Sequence, residues 1–130
     1  MAMNLCHIAS IAAGGAIGAI SRYVIKYAIT MSTASTFPFG TLTVNLFGSF
    51  VAGILFGLSD FFAFSTTTKL FIFTGILGAF TTFASFAFEN FNLFKTGKIS
   101  WALTNIIVSN VCGILLFGIG LLITKQLINK

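Results

Sequence analysis

The chain has 130 residues, of which 57% are hydrophobic and only 7% are charged. A soluble domain carries about 25% charged residues, so this composition excludes a water-soluble globular protein and predicts a membrane protein. The formal net charge of +5 does not indicate nucleic-acid binding, because the basic residues stand singly near the ends of apolar segments. With one His and two acidic residues, the chain lacks the groups for an enzyme active site, and we predict no enzymatic activity.

Four apolar segments account for most of the chain, since a helical membrane crossing needs about 20 apolar residues. We therefore predict an all-α membrane protein with one four-helix transmembrane domain over residues 1–130. The predicted crossings are Asn4–Ala28, Phe39–Leu58, Leu70–Phe91 and Ser100–Thr124, with loops at residues 30–36, 65–69 and 95–98. Four short helices hardly enclose a transport path alone, so we expect an oligomer.

The first crossing is rich in small residues, including Gly14, Gly15 and Gly18, and this density predicts close approach of another helix. Arg22 lies near the end of this crossing and has two open interpretations. Its guanidinium either snorkels to the membrane surface or supplies a positive field that concentrates anions at a pore mouth.

Asn45 is the strongest polar signal in the second crossing, because a side-chain amide in hydrocarbon is costly unless it is paired. Such an amide either bonds a neighbouring helix or lines a pore. Thr41 and Ser49 lie one helical turn to either side of Asn45. This row of amide and hydroxyl donors suits a partly dehydrated anion and favours pore lining.

The third crossing is predicted to be broken near Gly78–Thr82, where glycines and adjacent threonines interrupt an apolar run. Irregular backbone at membrane depth is tolerated where it is buried in protein or lines a wet cavity, and it tends to mark ion or substrate sites. Phe83 and Phe86 can offer their positively polarised ring edges to a small anion, with Ser85 between them. Glu89 is expected to cap or pair with a neighbouring donor.

In the fourth crossing, Asn105 and Ser109 stand four residues apart and are predicted to stack on one helix face, where they would extend a polar track. For Asn110, hydrogen bonding between helices is an equally good interpretation.

Lysine and arginine divide almost evenly between the two sides of the predicted bundle. Three lie on the side of the termini and four on the other: Lys69, Lys125 and Lys130 against Arg22, Lys26, Lys95 and Lys98. Because orientation follows the Lys/Arg imbalance, we expect insertion in both orientations. Two oppositely oriented copies would then pair about a two-fold axis in the membrane plane.

Taken together, three stretches resemble the Fluc (CrcB) family of fluoride channels over essentially the whole chain. They are residues 14–19 with Arg22 and Tyr23, residues 40–50, and residues 75–86 followed by Glu89. The resemblance implies an antiparallel, dual-topology homodimer in the bacterial cytoplasmic membrane that exports fluoride passively and thereby protects the cell. The implied partners are fluoride, a second copy of the chain and the lipid bilayer, without nucleic acid.

The resemblance also implies roles for individual residues. It assigns Asn45 to the vestibule, Phe83 and Phe86 to the fluoride path, and Ser85 and Ser109 to a polar track that accompanies the path. Arg22 matches the arginine of the family's first helix.

A structural sodium ion at the dimer interface is implied as well, held by backbone carbonyls of the helix break, here Gly78 and Thr81. Two positions depart from the family pattern: Ala84 stands where a serine is usual, and Asn105 stands where a tyrosine is common.

Two alternatives to a fluoride channel remain at this point. A small dual-topology multidrug-type exporter would need a carboxylate in the middle of the first crossing, which this chain lacks. A non-transporting membrane assembly subunit would show no ion flux.

Overall fold

The computed structural model describes residues 4–128, and its regular elements are helical. They are α1 (Leu5–Thr33), α2 (Phe39–Phe61), α3 (Thr66–Lys69), a π-helical segment (Leu70–Leu77), α4 (Gly78–Phe80), α5 (Phe83–Lys95) and α6 (Ile99–Ile128). Four stretches are long and apolar enough to cross a membrane: Leu5–Thr33, Phe39–Phe61, Thr66–Lys95 and Ile99–Ile128. This confirms the prediction of an all-α multi-pass membrane protein.

The helices extend beyond the predicted crossings, and two predicted loops are largely helical instead. α1 continues to Thr33, whose hydroxyl donates to the Ile29 carbonyl at 2.9 Å, and it ends at Ala34, which is left-handed (φ 44°) and donates its N–H to the Thr30 carbonyl. The predicted loop at residues 65–69 is mostly α3, because the Ser65 hydroxyl caps the helix by accepting the Thr68 N–H at 3.2 Å.

Glycines allow two helix pairs to approach at backbone distance. A Cβ at Gly14 or Gly18 of α1 would clash with carbonyl oxygens of the π-helical segment, so this segment lies directly on α1. A Cβ at Gly53 of α2 would likewise clash with backbone of α6, and a Cβ at Gly120 of α6 would clash with backbone of α2. The predicted close contact of the first crossing is confirmed for Gly14 and Gly18, whereas a Cβ at Gly15 would meet open space.

The helical path of the third crossing stops at two threonines. Thr81 (ψ 154°) and Thr82 (ψ 113°) have extended backbone between α4 and α5. The Thr82 hydroxyl then caps α5 by accepting the Ser85 N–H at 3.2 Å. The Thr82 cap therefore fixes the start of α5 directly after the interruption. The interruption also leaves backbone N–H and C=O groups without helical partners, and these groups need partners from other helices.

Candidate functional site

A cavity of about 240 Å³ lies where α2 and α6 meet the interruption of the third crossing. Its lining residues are Asn45, Ser49, Thr81, Thr82, Phe83, Phe86, Ser109 and Asn110. The structure thus brings together Asn45, Phe83, Phe86 and Ser109, which were predicted for an ion path, although they come from three different helices. We call this space the central cavity.

Asn45 joins α2 to the interrupted backbone. Its Oδ1 accepts the Thr82 N–H at 2.8 Å, and its Nδ2 donates to the Thr82 carbonyl at 3.2 Å. One side chain therefore satisfies both polar groups of a residue that has left helical geometry. Asn45 therefore bonds the interrupted third crossing, as one of its two interpretations requires. It also lines the central cavity, with a second amide hydrogen outside these bonds, and its role in an ion path stays a prediction.

The two predicted phenylalanines form one wall of the central cavity. The ring centroids of Phe83 and Phe86 are 5.6 Å apart with an interplanar angle of 42°. Phe83 is 78% exposed in the single chain, while Phe86 is half-buried. The edge of an aromatic ring carries the positive part of its quadrupole, so two rings that line this space are compatible with an anion.

The row of donors predicted on α2 is divided by the structure. Ser49 lines the central cavity and donates its hydroxyl hydrogen to the Asn45 backbone carbonyl at 2.8 Å. Thr41 is buried and donates to Glu89 Oε1 at 2.7 Å, away from the cavity.

Glu89 pairs with neighbouring donors, as predicted. Lys26 Nζ lies 2.7 Å from the same Oε1 that accepts from Thr41. The other carboxylate oxygen of Glu89, Oε2, is buried and has no hydrogen-bond partner within residues 4–128. These residues border a separate cavity of about 360 Å³ near Lys98.

On α6, Asn105 and Ser109 stack as predicted, and the Ser109 hydroxyl donates to Asn105 Oδ1 at 3.3 Å. Asn105 Nδ2 donates in turn to Asn90 Oδ1 at 3.1 Å. Asn90 was not predicted as a functional residue, although an amide one turn after Phe86 in an apolar helix is a signal of the same kind as Asn45. Asn110 is exposed and donates to the Ile106 carbonyl of its own helix at 2.7 Å rather than to another helix.

Ser85 and Arg22 lie together but apart from the central cavity. Both border a cavity of about 410 Å³ beside α1, together with Tyr23 and Tyr27. Ser85 is linked to the interruption through Thr82 Oγ1, which accepts the Ser85 N–H at 3.2 Å and donates to the Ser85 hydroxyl at 3.2 Å. In the single chain, the serine between the two phenylalanines therefore faces Arg22 rather than Asn45.

The backbone at Gly78 and Thr81 is chemically suited to a cation. A continuous helix would pair the Gly78 carbonyl with the Thr82 N–H, but that N–H bonds Asn45 instead. Carbonyls at the C-terminal end of a broken helix carry partial negative charge, and such groups coordinate sodium in transport proteins. Gly78 and Thr81 both line a further space of about 300 Å³ between Gly48 and Phe117.

Comparison with known proteins gives a family match over most of the chain. The profile of the family described as "CrcB-like protein, Camphor Resistance (CrcB)" matches residues 9–121. All the residues that line the central cavity lie inside this match.

The relatives of this chain include proteins named fluoride-specific ion channel FluC. The chain is 39% identical over 115 residues to the one from Parabacteroides distasonis, covering 88% of this chain and 90% of the relative. It is 42% identical over 120 residues to one from Legionella pneumophila, covering 92% and 90%. It is 43% identical over 119 residues to one from Magnetococcus marinus, covering 91% and 97%.

Proposed function

The chain belongs to the CrcB-like protein family, and we propose that it is a fluoride-selective ion channel through which fluoride leaves the cell passively. The observation that carries this proposal is the central cavity, where Asn45, Phe83, Phe86 and Ser109 meet at the interrupted helix. A channel of this kind carries out no chemical reaction, in agreement with the predicted lack of enzymatic activity.

In this mechanism, the protein replaces the water around fluoride step by step. The free hydrogen of the Asn45 amide is a first donor, and its bonds to Thr82 hold the amide in place. The edges of Phe83 and Phe86 then meet the anion while the remaining water is removed. Selectivity follows from narrowness and from the geometry of the donors, because a larger halide would not reach all of them at once.

The working assembly that we propose is an antiparallel, dual-topology homodimer. The nearly even division of Lys and Arg between the two sides of the predicted bundle, three against four, favours neither orientation. A single copy also leaves Phe83 78% exposed beside the cavity, and a second copy would cover this ring and close the path. We place the dimer in the bacterial cytoplasmic membrane, where fluoride efflux protects the cell.

We also propose that the carbonyls of Gly78 and Thr81 hold a structural sodium ion at the dimer interface. Bound there, the ion would compensate the negative ends of the broken helices and hold them together. Arg22 would add a positive field at the mouth beside Ser85, which attracts anions.

Efflux from proteoliposomes tests the proposed function directly. Vesicles that contain the purified chain are loaded with fluoride or with chloride, and release is followed with ion-selective electrodes after the membrane potential is shunted. We expect rapid fluoride release and chloride release near that of protein-free vesicles. Equal release of both anions, or no release of either, would refute a fluoride-selective channel and favour the exporter or the assembly subunit.

A further inference from the structure

We propose that Asn90 and Asn105 form a positioning pair that sets the direction of the Ser109 hydroxyl and thereby limits how tightly the central cavity holds fluoride. The inference rests on the proposed function and adds to it two residues that do not line the cavity. Asn90 lies on α5 and Asn105 on α6, so the pair also joins the two helices that supply Phe86 and Ser109.

The hydrogen bonds of this pair have only one possible direction, because they begin at a backbone carbonyl. The Phe86 carbonyl can only accept, so the amide nitrogen of Asn90 must face it, at 2.8 Å. Asn90 Oδ1 then faces Asn105 and requires the Asn105 amide nitrogen, at 3.1 Å. Asn105 Oδ1 is left to face Ser109, whose hydroxyl must donate to it, at 3.3 Å.

Burial keeps this direction from being reversed. Asn90 is 4% exposed and Asn105 is 1% exposed, so water does not compete for their amide groups. Turning either amide by half a rotation would place two donors or two acceptors face to face in a nonpolar setting, which is costly. The orientation set at the Phe86 carbonyl is therefore transmitted to Ser109.

Fluoride in the central cavity and Asn105 Oδ1 therefore compete for the hydroxyl hydrogen of Ser109. While the Ser109 hydrogen points to Asn105, the part of the hydroxyl left for the cavity is its lone pairs, which repel fluoride and suit a water hydrogen. Fluoride gains Ser109 as a donor only when the hydroxyl turns and gives up its 3.3 Å bond. Conduction requires binding that is weak enough for release, and the pair supplies that weakening.

The test removes the directing residue without touching the cavity. In Asn90→Leu, the Asn105 amide can turn, donate to Ser109 and free the hydroxyl hydrogen for the cavity. Fluoride flux is measured in proteoliposomes over a range of fluoride concentrations. We expect the half-saturating fluoride concentration to fall about two- to tenfold, the value of one net hydrogen bond.

Three further variants separate positioning from a structural effect. Asn90→Leu in a Ser109→Ala background should show no shift relative to Ser109→Ala alone, because the responding hydroxyl is gone. Thr124→Val removes a buried hydroxyl elsewhere on α6, bonded to the Ile54 carbonyl at 3.3 Å, and should leave half-saturation unchanged. If Asn90→Leu does not fold, Asn90→Leu/Asn105→Leu replaces both amides with apolar groups and is expected to show the same shift.

The outcomes distinguish this inference from the proposed function. If the unaltered chain conducts fluoride but half-saturation does not fall in either amide variant, or falls equally without Ser109, the positioning role is refuted and the channel stands. If the unaltered chain releases no fluoride, the proposed function fails and the inference fails with it.

Discussion

Replacing Asn45 with alanine would remove both its bonds to the interrupted backbone and its amide donor to the central cavity. The substitution removes both hydrogen bonds to the Thr82 backbone. Because Thr82 is only 7% exposed, water cannot fully replace these two bonds. An unsatisfied buried polar group costs about 1–3 kcal/mol, and with two such groups the loss of folding free energy is about 2–6 kcal/mol. We expect Asn45→Ala to unfold at a clearly lower temperature in detergent and to conduct little fluoride.

Asn45→Asp is the matched variant. Aspartate keeps an oxygen acceptor for the Thr82 N–H at the 2.8 Å position but loses the donor to the Thr82 carbonyl and adds negative charge to the cavity. We expect a loss of thermal stability comparable to that of Asn45→Ala, because the new carboxylate oxygen would face the Thr82 carbonyl, and an equal or greater loss of fluoride efflux, because the charge repels the anion. Unchanged stability in Asn45→Ala, or full efflux in Asn45→Asp, would contradict the roles assigned here.

Three more predictions follow from particular contacts. Phe83→Ile should reduce fluoride efflux while the size-exclusion profile stays unchanged, since the substitution removes an aromatic edge but keeps an apolar side chain. Gly18→Ala should destabilise the fold by about 1–3 kcal/mol in thermal unfolding, because its Cβ would clash with the π-helical segment, whereas Gly15→Ala should have little effect. Glu89→Gln should lower the unfolding temperature by removing the ion pair with Lys26, and a stability equal to that of the unaltered chain would show that this pair contributes nothing.

The chemistry of individual residues was more predictable than their partners. An amide in an apolar helix must find a hydrogen-bond partner, so Asn45 was identified from its residue type alone. That its partner is the backbone of Thr82, 37 residues away, depends on how α2 packs against the third crossing. The Asn90–Asn105 bond escaped prediction for the same reason, since neither residue type nor spacing specifies a contact between two helices.

The sequence by itself determined the membrane class, the four apolar crossings and the presence of polar groups at the centre of the third, because hydropathy and length act locally along the chain. Only the tertiary structure decided that Phe83 and Phe86 face Asn45 while Ser85, between them in sequence, lies beside Arg22. Within α5, helical spacing places Phe83 and Phe86 on one face and Ser85 on another. The extended backbone at Thr81 and Thr82 sets the rotation of α5 relative to the preceding helix, so torsion angles and packing decide that the phenylalanine face meets Asn45 and that Ser85 meets α1.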